Sequence, residues 1–123
     1  NAFVGRLVEY LKESLVCSPY TFHQGFSPFF FPIFVDATRI TCSKIEFARA
    51  VKAEGIGLGE HYDCVINVWD WAKQYLSDNF IARNAMNVRE GSFNLYVNER
   101  YGYQEALDVW NAISKVEQYY LIS

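Results

Sequence analysis

Between residues 92 and 120 the hydrophobic period of this chain changes once, and that change limits what it can fold into. Residues 92–97 alternate, with Phe93, Leu95 and Val97 on one side and Asn94 and Tyr96 on the other, as in a strand that buries one face. After a turn at 98–102 the period lengthens to three and four. Ala106, Val109, Trp110, Ile113 and Val116 then recur as the stripe of a helix over about 104–120. Glu105 and Asp108 fall near its positive end and Lys115 toward its negative end, as the helix dipole favours. A one-faced strand feeding a one-faced helix commits the chain to a mixed architecture around a shared core.

The rest of the chain extends that pattern. Residues 2–16 carry Val4, Leu7, Val8, Leu11 and Leu15 at helical spacing, with Arg6, Glu9, Lys12 and Glu13 opposite. Residues 17–28 hold Pro19, Gly25 and Pro28 and read as loop. The apolar run at 29–36 predicts a strand buried on both faces, with Pro32 marking an edge position or a bulge. Ser43 and Glu46 form the capping box S-K-I-E of a helix whose apolar face is Phe47, Ala50 and Val51. Gly55 ends that helix in the left-handed conformation. A strand at 56–62 follows, then a stretch at 65–76 that fits either a helix or an irregular aromatic segment, then a short helix at 80–88. The sum is α-β-α-β-α-β-α in a single domain, 1–123, without repeats or low-complexity segments.

Composition narrows the class of function. A net charge of −3 with dispersed Lys and Arg argues against nucleic-acid binding, which needs a basic face. Three cysteines (Cys17, Cys42, Cys64) without close spacing make a poor disulfide framework and point to reduced thiols and a cytoplasmic setting. No apolar run is long enough to span a bilayer. Ten Phe, nine Tyr and three Trp exceed what a small core needs, so some are expected to cover a partner. The chain opens at Asn1 inside a helical pattern, which suggests a fragment of a longer protein.

Candidate chemistry is sparse. The densest polar cluster is Glu60-His61-Tyr62-Asp63-Cys64, where His61 serves as an acid/base group or as a surface or capping residue. A metal site through His61 and Cys64 lacks a second ligand pair. His23 falls in a loop and reads as solvated. Gly55, Gly57 and Gly59 follow a helix rather than a strand, so they terminate and turn the chain rather than cradle phosphate. There is no G-x-S-x-G motif. Lys12, Lys44, Lys52, Lys73 and Lys115 all read as solvated helix-face residues rather than Schiff-base lysines. Glu9, Glu13, Glu46 and Glu54 read as helix-surface charges. Trp69, Trp71 and Tyr75 either pack onto the domain or form an aromatic surface for a partner or planar ligand. From its residues alone this is a soluble α/β domain with no self-sufficient catalytic machinery.

Four segments in order, Asn1-Ala2 with the amphipathic helix that follows, FFFPIFVD at 29–36, SKIEFARAVKAEGI at 43–56, and NLYVNERYGYQEALDVWNAISKVEQYY at 94–120, carry a resemblance. Together they resemble the C-terminal small domain of the DegT/DnrJ/EryC1/StrS family of PLP-dependent sugar aminotransferases. The resemblance implies an α+β small domain of a fold-type I transferase, with a short, mainly antiparallel sheet packed with helices. It implies a parent enzyme that moves an amino group to a keto group of a nucleotide-linked sugar or cyclitol. Pyridoxal 5'-phosphate would be held by a missing N-terminal large domain and not bound covalently here, and the parent would be a homodimer. The family's His-Tyr-x-Pro loop near the substrate entrance matches His61, Tyr62 and Asp63, with Cys64 where Pro is common; this gives His61 and Tyr62 as substrate-binding residues. Asn84-Ala85 resembles a structural Asn-Ala of the family. Arg83 and Arg89 are candidates for a substrate pyrophosphate or for salt bridges. The rival expectations are a stand-alone small-ligand-binding or regulatory α/β module and a catalytically inactive DegT-like scaffold.

Overall fold

A computed structural model describes residues 2–19, 30–61, 70–75, 83–98 and 100–122. The expectations for His23, Tyr62, Asp63, Cys64, Trp69 and residues 80–82 lie outside the described residues. The elements are α1 (Ala2–Leu11), β1 (Cys17–Pro19), β2 (Phe30–Val35), α2 (Lys44–Ala53), β3 (Leu58–Gly59), α3 (Arg83–Gly91), β4 (Ser92–Tyr96) and α4 (Tyr103–Tyr120), with 3-10 turns at Ala37–Arg39 and Asp70–Tyr75. Among the described residues, four helices and a four-stranded antiparallel sheet make the fold α+β.

The first helix is shorter than the stripe at 2–16 suggested. After Leu11 the bonding tightens, with Glu13 N–H donating to Tyr10 O and Ser14 N–H to Leu11 O, both at 3.1 Å. The carboxylate of Glu117, buried on α4, then takes the Leu15 N–H at 2.6 Å. Ser14 Oγ accepts from Val16 N–H and Cys17 N–H at 3.2 and 2.8 Å, which turns the chain into β1. Leu15 consequently stands 57% exposed rather than on the core stripe, and Val16 is buried instead.

Sheet order is β1-β2-β4-β3, so β2 and β4 are central. Residues 17–19, expected as loop, form a strand because Cys17 pairs with Val35 and Pro19 with Ile33. Pro32 was expected at an edge or a bulge; no bulge is present, and Pro32 lies opposite Asn94 of β4, beyond the described pairing with β1. β2 has a neighbour on each side, and its register with β4 runs unbroken from Phe30↔Tyr96 to Phe34↔Ser92. The β1 pairing stops at Ile33 among the described residues, so Pro32 lies one step past it. Burial on both faces also fails for β2: Phe31, Ile33 and Val35 are buried while Pro32 and Phe34 are half-buried. It is β4 that is closed on both faces. Phe93 and Leu95 enter the core, and Ser92 and Asn94 on the opposite face are buried as well. β3 is only Leu58–Gly59, shorter than the strand expected at 56–62.

The core lies between one sheet face and three helices. Phe3, Leu7 and Leu11 of α1, Phe47, Ala48 and Val51 of α2, and Ala106, Val109, Ile113 and Val116 of α4 join Phe31, Ile33, Leu58, Phe93 and Leu95 in one cluster. α4 packs between α1 and α2. Each fully buried Phe or Leu contributes about 1.5–3 kcal/mol relative to exposure. Cys17 sits in this core with its thiol pushed up to about 12 by burial first and by the nearby Glu117 second. The helix starts use complementary halves of one device. Ser43 Oγ accepts from Glu46 N–H at 3.1 Å to start α2, and Glu105 Oε2 accepts from Gly102 N–H at 2.8 Å to start α4. Gly55 closes α2 at φ 96°, as expected for a left-handed terminator.

Candidate functional site

Two features stand at opposite ends of α2, which at ten residues is about 15 Å long. At its start is a charged corner around Glu60 and His61. At its end is a cleft.

The corner is assembled by α2. Lys44, its first residue, is 6% exposed. Its Nζ donates to the carbonyl of Glu60 at 2.6 Å and to the carbonyl of Arg89, at the end of α3, at 3.1 Å. Burial holds the Lys44 ammonium below its ordinary value, opposed by Glu90, reinforced by Arg89 and opposed again by Glu60. Farther along α2, Arg49 Nε donates to Glu60 Oε1 at 2.9 Å, and this bond draws the Glu60 carboxyl below the usual carboxylate range. His61 follows directly, half-buried in the bend just past β3. Arg89 is largely buried, and its Nη1 meets Glu90 at 3.1 Å. Its Nε is buried with no hydrogen-bond partner among the described residues.

The structure therefore corrects one expectation outright. Lys44 is not a solvated helix-face lysine; it shares the buried face of α2 with Phe47, Ala48 and Val51. The signal was present as spacing, since 44, 47, 48 and 51 are three and four apart, and it was masked by residue type. Lys12, Lys52 and Lys115 are exposed as expected, Lys12 pairing with Glu9 and Lys115 with Glu54, each at 2.8 Å. Glu9, Glu13, Glu46 and Glu54 are exposed, as read from the sequence. Arg83, Asn84 and Ala85 lie exposed on α3, while Arg89 is drawn into the corner. Trp71 and Tyr75 are 65% and 77% exposed, whereas Ala72 between them is buried.

The cleft, about 450 Å³, was not foreseen. Its floor is Phe3, Val109 and Ala112; its walls are the Glu54–Gly57 turn, Tyr96, Tyr101 and the α4 residues Glu105, Asp108, Asn111 and Lys115. The Lys115–Glu54 pair bridges from α4 to the end of α2. Phe3 and Tyr101 meet edge to face at 5.2 Å. Its volume falls within the range of small-molecule sites. Tyr96 also reaches toward β3: a Cβ added to Gly59 would meet its hydroxyl at 2.9 Å.

Pyridoxal phosphate needs a lysine amine free to bond to its carbonyl carbon. Lys44 does not fit, because its Nζ is turned onto two main-chain carbonyls in a site closed by α2 and α3. Lys115 sits in an ion pair at the cleft, and Lys12 and Lys52 lie on the surface. None of these four lysines, whose side chains are described, is thus placed as an anchor for this cofactor. Among them, no three His, Cys, Asp or Glu side chains gather as metal ligands. No helix among them is long and apolar enough to cross a membrane.

No protein-family model matches this chain, and no curated protein matches it.

Proposed function

We propose that this chain is the C-terminal small domain of a PLP-dependent aminotransferase resembling the DegT/DnrJ/EryC1/StrS group. The parent would act in the cytoplasm, as a homodimer, on a keto group of a nucleotide-linked sugar or cyclitol. One observation supports this above the others. The capped helix, glycine turn and His61 loop form a single braced unit on an antiparallel sheet, with His61 half-buried just past β3 rather than lost in the core. Cofactor chemistry would belong to a separate large domain, and pyridoxal phosphate would supply the electron sink there. The work of this chain is on the substrate side. The His61 imidazole would hydrogen-bond a sugar hydroxyl. Tyr62, the other expected substrate-binding residue, would contribute its phenol to substrate binding. Exposed Trp71 and Tyr75 supply apolar area suited to the large domain or the second subunit.

The test uses the polypeptide that carries this chain together with whatever its gene encodes before Asn1. His61→Ala and Tyr62→Phe should each raise KM for the nucleotide sugar about tenfold, with the visible absorbance of bound cofactor unchanged. A gene with no lysine-bearing pyridoxal domain upstream would sink the proposal.

The cleft favours a second reading, a stand-alone small-ligand-binding module. In that case the 123-residue chain alone should bind a small metabolite in an intrinsic-fluorescence titration, and Tyr101→Ala should abolish that binding.

A further inference from the structure

Two contacts converge on the residue before His61, and a third ties it to the end of α3. Lys44 Nζ holds the Glu60 carbonyl at 2.6 Å, Arg49 Nε holds the Glu60 carboxylate at 2.9 Å, and the same Lys44 ammonium ties in the Arg89 carbonyl at 3.1 Å. One rigid helix thus grips Glu60 by main chain and side chain, and ties the end of α3 to the same point. A lysine present only for its apolar stem would extend its ammonium to water. This one, 6% exposed, turns it inward onto two carbonyls from separate segments. Ammonium-to-carbonyl bonds of this kind are among the stronger hydrogen bonds in proteins, and leaving a buried carbonyl without a donor is costly.

We infer that Lys44 is a positioning residue, which fixes where His61 stands by pinning the preceding peptide between α2 and α3. The use of that position for substrate rests on the function proposed above; the pinning itself does not. Arg49 is the outer half of the device. It is exposed and sets the Glu60 side chain, whereas Lys44 sets the backbone that His61 inherits.

The chain has two histidines, so the His61 ring gives one of only two imidazole signals and is assigned with a His61→Gln variant. Lys44→Met keeps the length and the apolar stem but carries no donor; Lys44→Arg keeps donors. In Lys44→Met the His61 signal should move toward that of an unstructured histidine. The Glu60 and His61 amides should exchange about tenfold faster, while Ala48, Val51 and Ile113 keep their protection. Lys44→Arg should restore part of both effects. Lys44→Gln, shorter and with a neutral donor, should give the same shift in smaller measure and decides the matter if Lys44→Met does not fold. An unmoved His61 signal would show the pin to be idle. Protection lost equally at Val51 and Ile113 would make Lys44 a general core residue, and either result overturns the inference. In the longer polypeptide, Lys44→Met should raise KM for the nucleotide sugar with kcat little changed. A released corner with unchanged KM would confirm the pin and refute the substrate role of His61.

Discussion

Replacing Glu117 with alanine should loosen the junction between the first helix and the sheet. The Glu117 side chain is buried, and its carboxylate accepts the Leu15 N–H at 2.6 Å and lies 3.3 Å from Ser14 Oγ through each oxygen. The short bond to a charged acceptor is worth about 1.5–3 kcal/mol, and the long, shared contact to Ser14 about 0.5–1 kcal/mol. Relief of carboxylate burial offsets part of this. Glu117→Ala should therefore cost about 2–3 kcal/mol, a large share of the margin of a domain this size. Glu117→Gln keeps one acceptor oxygen and should cost about 1 kcal/mol. Urea unfolding measures both, with the midpoint moving at constant slope. Amide exchange locates the effect: Leu15 should lose protection in Glu117→Ala and keep most of it in Glu117→Gln. If Glu117→Ala lies within about 0.5 kcal/mol of the parent, or Glu117→Gln is equally damaging, the carboxylate is not what ends α1.

Two further outcomes follow from geometry already described. Gly55 has φ 96°, so Gly55→Ala should lower stability by about 1–2 kcal/mol; Gly59→Ala displaces only the hydroxyl end of the exposed Tyr96 and should cost under about 0.5 kcal/mol. The reverse order in urea midpoints would contradict the left-handed assignment. Because burial lowers Lys44 below its ordinary 10.5, the unfolded chain holds more protons between the two values, and stability linked to Lys44 rises with pH across that window. Measured against Lys44→Arg, the parent should gain stability as pH climbs toward 10.5, and a flat difference would show that Lys44 is solvated.

What could be read in advance depended on whether local rules decided the outcome. α4 and α2 were legible because period, caps and terminator agree within each segment: Ser43, Glu105 and Gly55 act as their positions dictate. α1 was overestimated because the bond that ends it comes from Glu117, about a hundred residues away, and no local pattern reports that. β1 was missed since a three-residue strand containing a proline is defined by its partner Ile33–Val35, not by propensity. For the site, His61 was visible as a residue type in a polar cluster, but what surrounds it was not. Lys44 lay on the buried stripe by spacing and was set aside for its charge, although a lysine can be buried when carbonyls receive it. The cleft arises from α1, the turn after α2, β4 and α4 together, and only tertiary packing creates it.

The strand order has a consequence for association. The outermost described strands are the shortest, three residues in β1 and two in β3, while the longer β2 and β4 are enclosed. β1 ends in a proline, and Tyr96 lies across Gly59 at the other border. Neither described border offers a foreign chain a run of unpaired amides on which to add. Within the described residues, these borders are poor templates for adding a further strand.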